Sequence, residues 1–229
     1  MNNEILFVLS VPAVFGSLVL VNRAFGRAGL FAWAALVPVL ANILTAKQIT
    51  VFGLDATLGT ILFASVFLCG DVLSELYGKR EARKAALIGA AAIVGYIVAT
   101  QVALLYSPNE LDYVHGAMGT VFGLSLRVSV ASLVCFLLSN IAGVYLFDLV
   151  RRKAPRFLWL RNNVSTLTCN AVENFIMMFA AFYGVYSIRE CVMIATATSC
   201  VEIVVGLLDT PFLYAAVRWK NEDATHDIF

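Results

Sequence analysis

Ala85-Ala-Leu-Ile-Gly-Ala-Ala-Ala-Ile-Val-Gly-Tyr-Ile-Val-Ala-Thr-Gln-Val-Ala-Leu-Leu-Tyr106 is a run of 22 residues without a charge. A helix of that length is about 33 Å long, enough to cross a hydrocarbon core of about 30 Å. Apolar residues fill the run on every side with no period-two alternation, which favours a spanning helix over a barrel strand. Lys79, Arg80, Arg83 and Lys84 precede it, whereas residues 107–123 after it contain neither Lys nor Arg. One end of this helix is basic and the other is not.

Six further stretches have the same character: 5–21, 28–46, 58–76, 124–150, 164–186 and 191–217. The chain, 1–229, therefore reads as a single all-α integral membrane domain, a polytopic bundle of seven spans. Composition agrees: 61% of residues are hydrophobic, 14% are charged, and mean hydropathy is +0.86. A soluble domain is about half apolar and a quarter charged. A disordered chain, a secreted disulfide scaffold and an ordinary soluble enzyme are excluded. The five cysteines form no C-x-x-C pair and read as small buried hydrophobes. With 16 Lys+Arg against 15 Asp+Glu there is no basic field for nucleic acid.

The cations alternate between loops. Those after spans one, three and five, with the C-terminal tail, hold thirteen; the other loops hold only Lys47 and Arg189, and Arg127 falls inside a span. The positive-inside rule then places the N-terminus outside and the C-terminus in the cytoplasm, in the cytoplasmic (inner) membrane. Met1-Asn2-Asn3-Glu4 offers no basic region for a cleavable signal peptide.

A charge at the bilayer centre costs about 3 kcal/mol, so intramembrane charges usually face a cavity. Asp71 and Glu75 lie four apart on one helix face near a basic loop. They read either as a turn salt-bridged to the cations that follow, with Gly78 ending the helix, or as a cytoplasmic gate or proton site. Ser165, Thr166, Asn170, Glu173 and Asn174 form one polar stripe on the sixth span, with Glu173 near the midplane. That stripe, with Glu202 on the seventh span, is the candidate ligand site. Asp209 and Thr210 read as a cap for a helix restarting at Pro211. Arg127 pairs with a buried carboxylate or snorkels to the surface, and Asn140 offers an amide to a ligand or a neighbouring helix. Five carboxylates against one arginine favour a cationic or N–H-rich ligand over an anion. Ala85-x-x-x-Gly89 and Ala91-x-x-x-Gly95 read as close helix packing.

The run Asp71-Val-Leu-Ser-Glu75-Leu-Tyr77-Gly78-Lys79-Arg-Glu-Ala82-Arg83 resembles the signature of the queuosine precursor transporters, also called the vitamin uptake transporter family. Arg127 with Ala131-Ser132, Leu158-Trp-Leu-Arg161, Ser165-Thr166, Asn170, Glu173, Phe182-x-Gly184 and Leu208-Asp-Thr-Pro211 extend the resemblance over about Ala34 to Trp219. It implies a six-helix core, here with one additional N-terminal span. It also implies import of queuine or a 7-deazaguanine, the 7-aminomethyl or 7-cyano base, for tRNA modification. Asn140 and Gly143 stand where the family often has Gln and Asp, and Glu202 where many members have Lys.

A carboxylate can accept the adjacent N1–H and exocyclic N–H₂ of a guanine-like edge together. Glu173 or Glu202 suits that role, with Asn170 or Asn140 at the carbonyl, Asn174 and Arg127 as further binding residues, and Phe175, Phe179 and Phe182 as stacking faces. The expected partners are a small nucleobase and the bilayer; protons, a second copy and an ATP-driven partner subunit stay open. In the last case the chain is the substrate-binding subunit of a vitamin or nucleobase uptake system. No P-loop, metal-ligand spacing or nucleophile–base pair is found, and His115 and His226 lie outside the spans. Neither an enzyme nor a cofactor or metal is expected.

Overall fold

The computed structural model describes residues 2–123, 126–182, 184 and 187–219. Its helices are α1 (Asn3–Thr45), α2 (Thr60–Leu76), α3 (Lys79–Leu105), α4 (His115–Phe122), α5 (Leu126–Lys153), α6 (Leu158–Phe182) and α7 (Ile188–Arg218). A hairpin of β1 (Gln48–Val51) and β2 (Leu54–Thr57) stands between α1 and α2.

The 43 residues of α1 are too long for one crossing, and the helix breaks at Gly26, with φ 53° and ψ −134°. That backbone is open to glycine and strained for other residues. The two halves, residues 3–25 and 27–45, fold back on each other: Asn3 Nδ2 donates to the carbonyl of Thr50, just past the far end of the second half. These halves are the first two expected spans. With α2, α3, α5, α6 and α7 they make seven long helices among the described residues.

The bundle is an all-α membrane fold. Its exterior is apolar: Leu20, Val98, Leu138, Val204 and Leu207, on four different helices, are all exposed. Inside, Phe15, Leu18, Leu30, Leu68, Leu73, Phe147 and Leu213 form one fully buried cluster. Lipid is as apolar as these side chains, so close packing holds the helices together. Gly89 shows how close: a Cβ there would stand 2.8 Å from the Ala34 carbonyl and 3.0 Å from Phe136. Of the two small-residue motifs on α3, Ala85 and Gly89 are buried, but Ala91 and Gly95 are exposed. The second motif does not pack within the chain.

α3 begins at Lys79, six residues before the expected Ala85, and three further features differ from expectation. α6 begins at Leu158, not Val164, because polar residues before Val164 find partners inside the bundle: Arg161 pairs with Glu75, and Asn162 Nδ2 with Asp209. α7 runs through Pro211 without restarting, so Asp209 is not an N-cap. The missing Pro211 N–H costs one helix bond, while the Asn162 and Asn163 amides hold Asp209 and Thr210 from α6. The 107–123 segment contains α4, which docks on α3 through Gln101 Nε2 to the Phe122 carbonyl (2.7 Å) and a Tyr96–Phe122 edge contact.

The basic loops gather at one end. Arg27 reaches Glu81 at 3.7 Å, Lys79 and Arg152 reach Asp148 at 3.4 and 3.0 Å, and Arg23 lies over the Trp219 ring. The β-hairpin caps the other end.

Candidate functional site

A cavity of about 180 Å³ lies under the β-hairpin. The second half of α1 brings Asn42 and Thr45 to it, β2 brings Thr57, and α2 contributes Thr60, Phe63, Ala64 and Phe67. Ser132 comes from α5, Asn170, Glu173, Asn174 and Met177 from α6, and Thr198 and Glu202 from α7. The i, i+3, i+4 spacing of Asn170, Glu173 and Asn174 puts all three on the inward face of α6. Four of the sequence-predicted binding residues, Asn170, Glu173, Asn174 and Glu202, thus meet in one chamber.

Two carboxylates share that chamber with no lysine or arginine on its described walls. Asn174 Nδ2 donates to Glu202 Oε2 at 2.7 Å and to Ser199 Oγ at 3.2 Å, tying α6 to α7 and fixing one carboxylate. Glu173 takes a hydrogen bond from Ser139 of α5. The buried Oδ1 of Asn170 has no hydrogen-bond partner, so an acceptor is left free for an N–H-bearing ligand. The arrangement can bind a flat, donor-rich molecule: acceptors at one edge, and Phe63 and Phe67 on the α2 wall. The expected faces were Phe175, Phe179 and Phe182. Phe175 instead sits 36% exposed, outside the chamber's walls, and the Phe182 side chain lies outside the described residues. Phe63 and Phe67 were not singled out, because an all-round apolar span gives no sign of which face meets a cavity.

Other predicted residues lie elsewhere. Asn140 is buried but donates to the Phe136 carbonyl of its own helix, away from the chamber. The backbone of Arg127 is in the first turn of α5, and its side chain lies outside the described residues. Asp71 is one turn beyond Phe67 along α2, 4% exposed, and accepts from Ser165 Oγ and Thr166 Oγ at 3.4 Å each. Glu75, one turn further, meets Arg161 Nη2 at 2.6 Å and Arg151 Nη1 at 3.9 Å. The cations that follow Glu75 in sequence go elsewhere: Lys79 to Asp148, Lys84 to Glu81, and Arg83 to the Tyr145 hydroxyl. Gly78, at φ 87°, follows the end of α2 and turns the chain into α3. Arg161, counted in sequence as a loop cation, is a buried helix residue.

A wider groove of about 590 Å³ runs between α5 and α6. Its walls include Leu138, Tyr145, Leu149, Val172 and Ile176, all exposed on the outer face of the bundle, where acyl chains lie. It offers few polar groups to orient a solute, and the chamber under the hairpin is the better site. No group of three or more His, Cys, Asp or Glu suited to a metal ion occurs among the described residues.

The family described as "Putative vitamin uptake transporter" matches residues 57–216, from the end of β2 to the end of α7. The chain belongs to the vitamin uptake transporter family. Its members are transporters and not enzymes, and this one is an integral membrane protein by its apolar helices. A relative from Bacillus subtilis (strain 168), "Probable queuosine precursor transporter", is 36% identical over 203 residues, covering 88% of this chain and 89% of the relative. No solved structure matches the transporter. The family match contains α2, α6 and α7, hence every carboxylate of the chamber and of the column beneath it. Both halves of α1 lie outside that match.

Proposed function

We propose that this transporter imports a queuosine precursor, the 7-aminomethyl-7-deazaguanine base or queuine, through the chamber under the β-hairpin. One observation carries the reading: Glu173 and Glu202 share a small chamber with Asn170 and two phenylalanines, with no lysine or arginine on its described walls. One carboxylate accepts the paired N–H donors of the guanine-like edge, and the second balances an ammonium. A neutral nitrile gives that second carboxylate nothing to hold, which ranks the cyano base lower. The volume, about 180 Å³, is below the usual 300–1,000 Å³ of drug-sized pockets and suits a bicyclic base with a short arm. The name of the Bacillus subtilis relative supports the same class of solute.

The chain acts as one membrane unit of seven crossings in the cytoplasmic membrane, with the basic end inside and the hairpin end outside. The chamber then faces the source of solute. Arg161, Glu75 and Arg151 close the path on the cytoplasmic side, and Glu75 is the gate carboxylate. Cells unable to make queuosine, supplied with each base, provide the test: queuosine in tRNA should appear only when the transporter is present. Equal incorporation with and without it overturns the reading. Uptake by the purified chain alone in liposomes distinguishes a self-sufficient carrier from a binding subunit that needs an ATP-driven partner.

A further inference from the structure

Beneath the chamber, a second polar cluster joins α2, α6 and α7. Ser165 Oγ lies 3.4 Å from Asp71 Oδ2 and 3.0 Å from the Asn162 carbonyl. Asn162 Nδ2 donates to Asp209 Oδ1 at 2.6 Å. Asn162 and Asp209 are both fully buried, and Asp209 is within Coulombic reach of Asp71. Asp209 Oδ2 and Asn162 Oδ1 have no hydrogen-bond partner. Two orphaned oxygens on a hydrogen-bonded pair of fully buried side chains mark a place for a positive guest.

The charge balance agrees. Around this cluster stand Asp71 and Glu75 on α2, Asp209 on α7, Arg161 on α6 and Arg151 on α5. Both arginines contact Glu75, so the five groups leave one negative charge over. The thiols of Cys69 and Cys169, which also face Asp71, add no cation. Apart from these thiols, of which Cys69 donates to the Leu30 carbonyl, the donors are oxygen: carboxylates, hydroxyls and an amide carbonyl. Such hard donors hold a proton or an alkali ion; soft metals prefer sulfur, and Ca²⁺ asks for six to eight oxygens.

We propose that Asp71 and Asp209, with Asn162, Ser165 and Thr166, bind one monovalent cation, a proton or Na⁺, whose entry is coupled to transport. Thr166 lies one turn from Asn170 on the same face of α6, so the ion site and the chamber share one rigid rod. Filling either site biases the position of α6 for the other. This inference rests on the transport activity of the family and on no particular solute.

The test uses the full chain, purified, without solute. Its unfolding temperature is measured in NaCl against choline chloride at equal ionic strength, and then from about pH 8 to about pH 6 in choline. A sodium site gives a saturable rise of several degrees with NaCl. A proton site gives a rise as pH falls, because the folded state then binds the extra proton. Asp209→Asn and Asp71→Asn should remove the shift, whereas Asp148→Asn, outside the cluster, should keep it. If either aspartate variant fails to fold, solute uptake by the wild type in liposomes decides, measured with a Na⁺ gradient, a proton gradient or neither. Equal initial rates in all three conditions, no cation-dependent shift in the wild type, or a shift retained in both aspartate variants overturns the proposal. Loss of uptake of every deazaguanine with the cation shift intact would instead sink the solute assignment alone.

Discussion

Arg161 Nη2 of α6 lies 2.6 Å from Glu75 Oε1 of α2, and the arginine side chain is only 5% exposed. The two helices run antiparallel, and this ion pair fastens them at the end opposite the chamber. Breaking a buried pair by removing one partner costs about 3–5 kcal/mol, because the other charge stays buried alone. Glu75→Ala should lose about 3–5 kcal/mol, because Arg161 stays buried without its anion and Arg151 loses the same partner. Denaturant or thermal unfolding of the purified protein measures it. Glu75→Met combined with Arg161→Met should recover most of the loss yet remain deficient in uptake. Recovery of uptake as well would mean that the pair is structural only.

Glu173→Gln and Glu202→Gln should each lower uptake of the aminomethyl base by about 10–100-fold, since a hydrogen bond to a charged group is worth about 1.5–3 kcal/mol. Asn174→Ala should act in the same direction by freeing Glu202. Asn140→Ala, outside the chamber, should leave uptake within about twofold while costing stability. Labelled uptake normalised to inserted protein distinguishes these. Unchanged uptake in Glu173→Gln would remove that residue from the site.

Gly89→Ala should destabilise the bundle by about 1–3 kcal/mol through overpacking against Ala34 and Phe136. Gly95→Ala, with nothing within 4 Å of the new Cβ, should be neutral. Unfolding curves of the two variants give the comparison, and equal losses would contradict the packing described.

Phe52 and Gly53 both adopt positive φ, 52° and 75°, in the two-residue turn of the hairpin. Gly53→Val puts a β-branched residue in the left-handed region at a cost of about 1–2 kcal/mol. Since β2 supplies Thr57 to the chamber, the expected result is a raised KM for uptake with the helical circular dichroism unchanged. An unaltered KM would separate the hairpin from solute entry.

Much of this architecture was legible in the residues. Run length located the end of α3 to one residue but missed its charged first six residues, and the alternation of cations grouped the loops that meet at Arg27, Lys79 and Asp148. The stripe on α6 identified three chamber residues because a polar stripe is costly in lipid unless something uses it. What stayed hidden depended on tertiary partners. Arg161 looked like a loop cation until Glu75, 86 positions away, was seen to bury it. Pro211 looked like a helix break, but the amides of Asn162 and Asn163 sustain the helix from across the interface. Phe63 and Phe67 were silent because apolar residues facing lipid and facing a cavity are chemically alike. The hairpin had a signal, Gly53 in a short polar connection, but strands of four residues carry little pattern.

The break at Gly26 has a consequence for how the protein is made. Residues 3–25 pack against the far end of the chain: Phe15 meets Phe212 with ring centroids 5.5 Å apart, and Asn22 Nδ2 donates to the Ala216 carbonyl at 3.0 Å. The first of these helices to leave the ribosome therefore has its partner among the last. Until α7 is synthesised, Asn22 sits in the bilayer without its acceptor. Assembly of the closed bundle is a late event of biosynthesis, and the nascent N-terminal hairpin needs lipid or an insertion factor as a temporary neighbour.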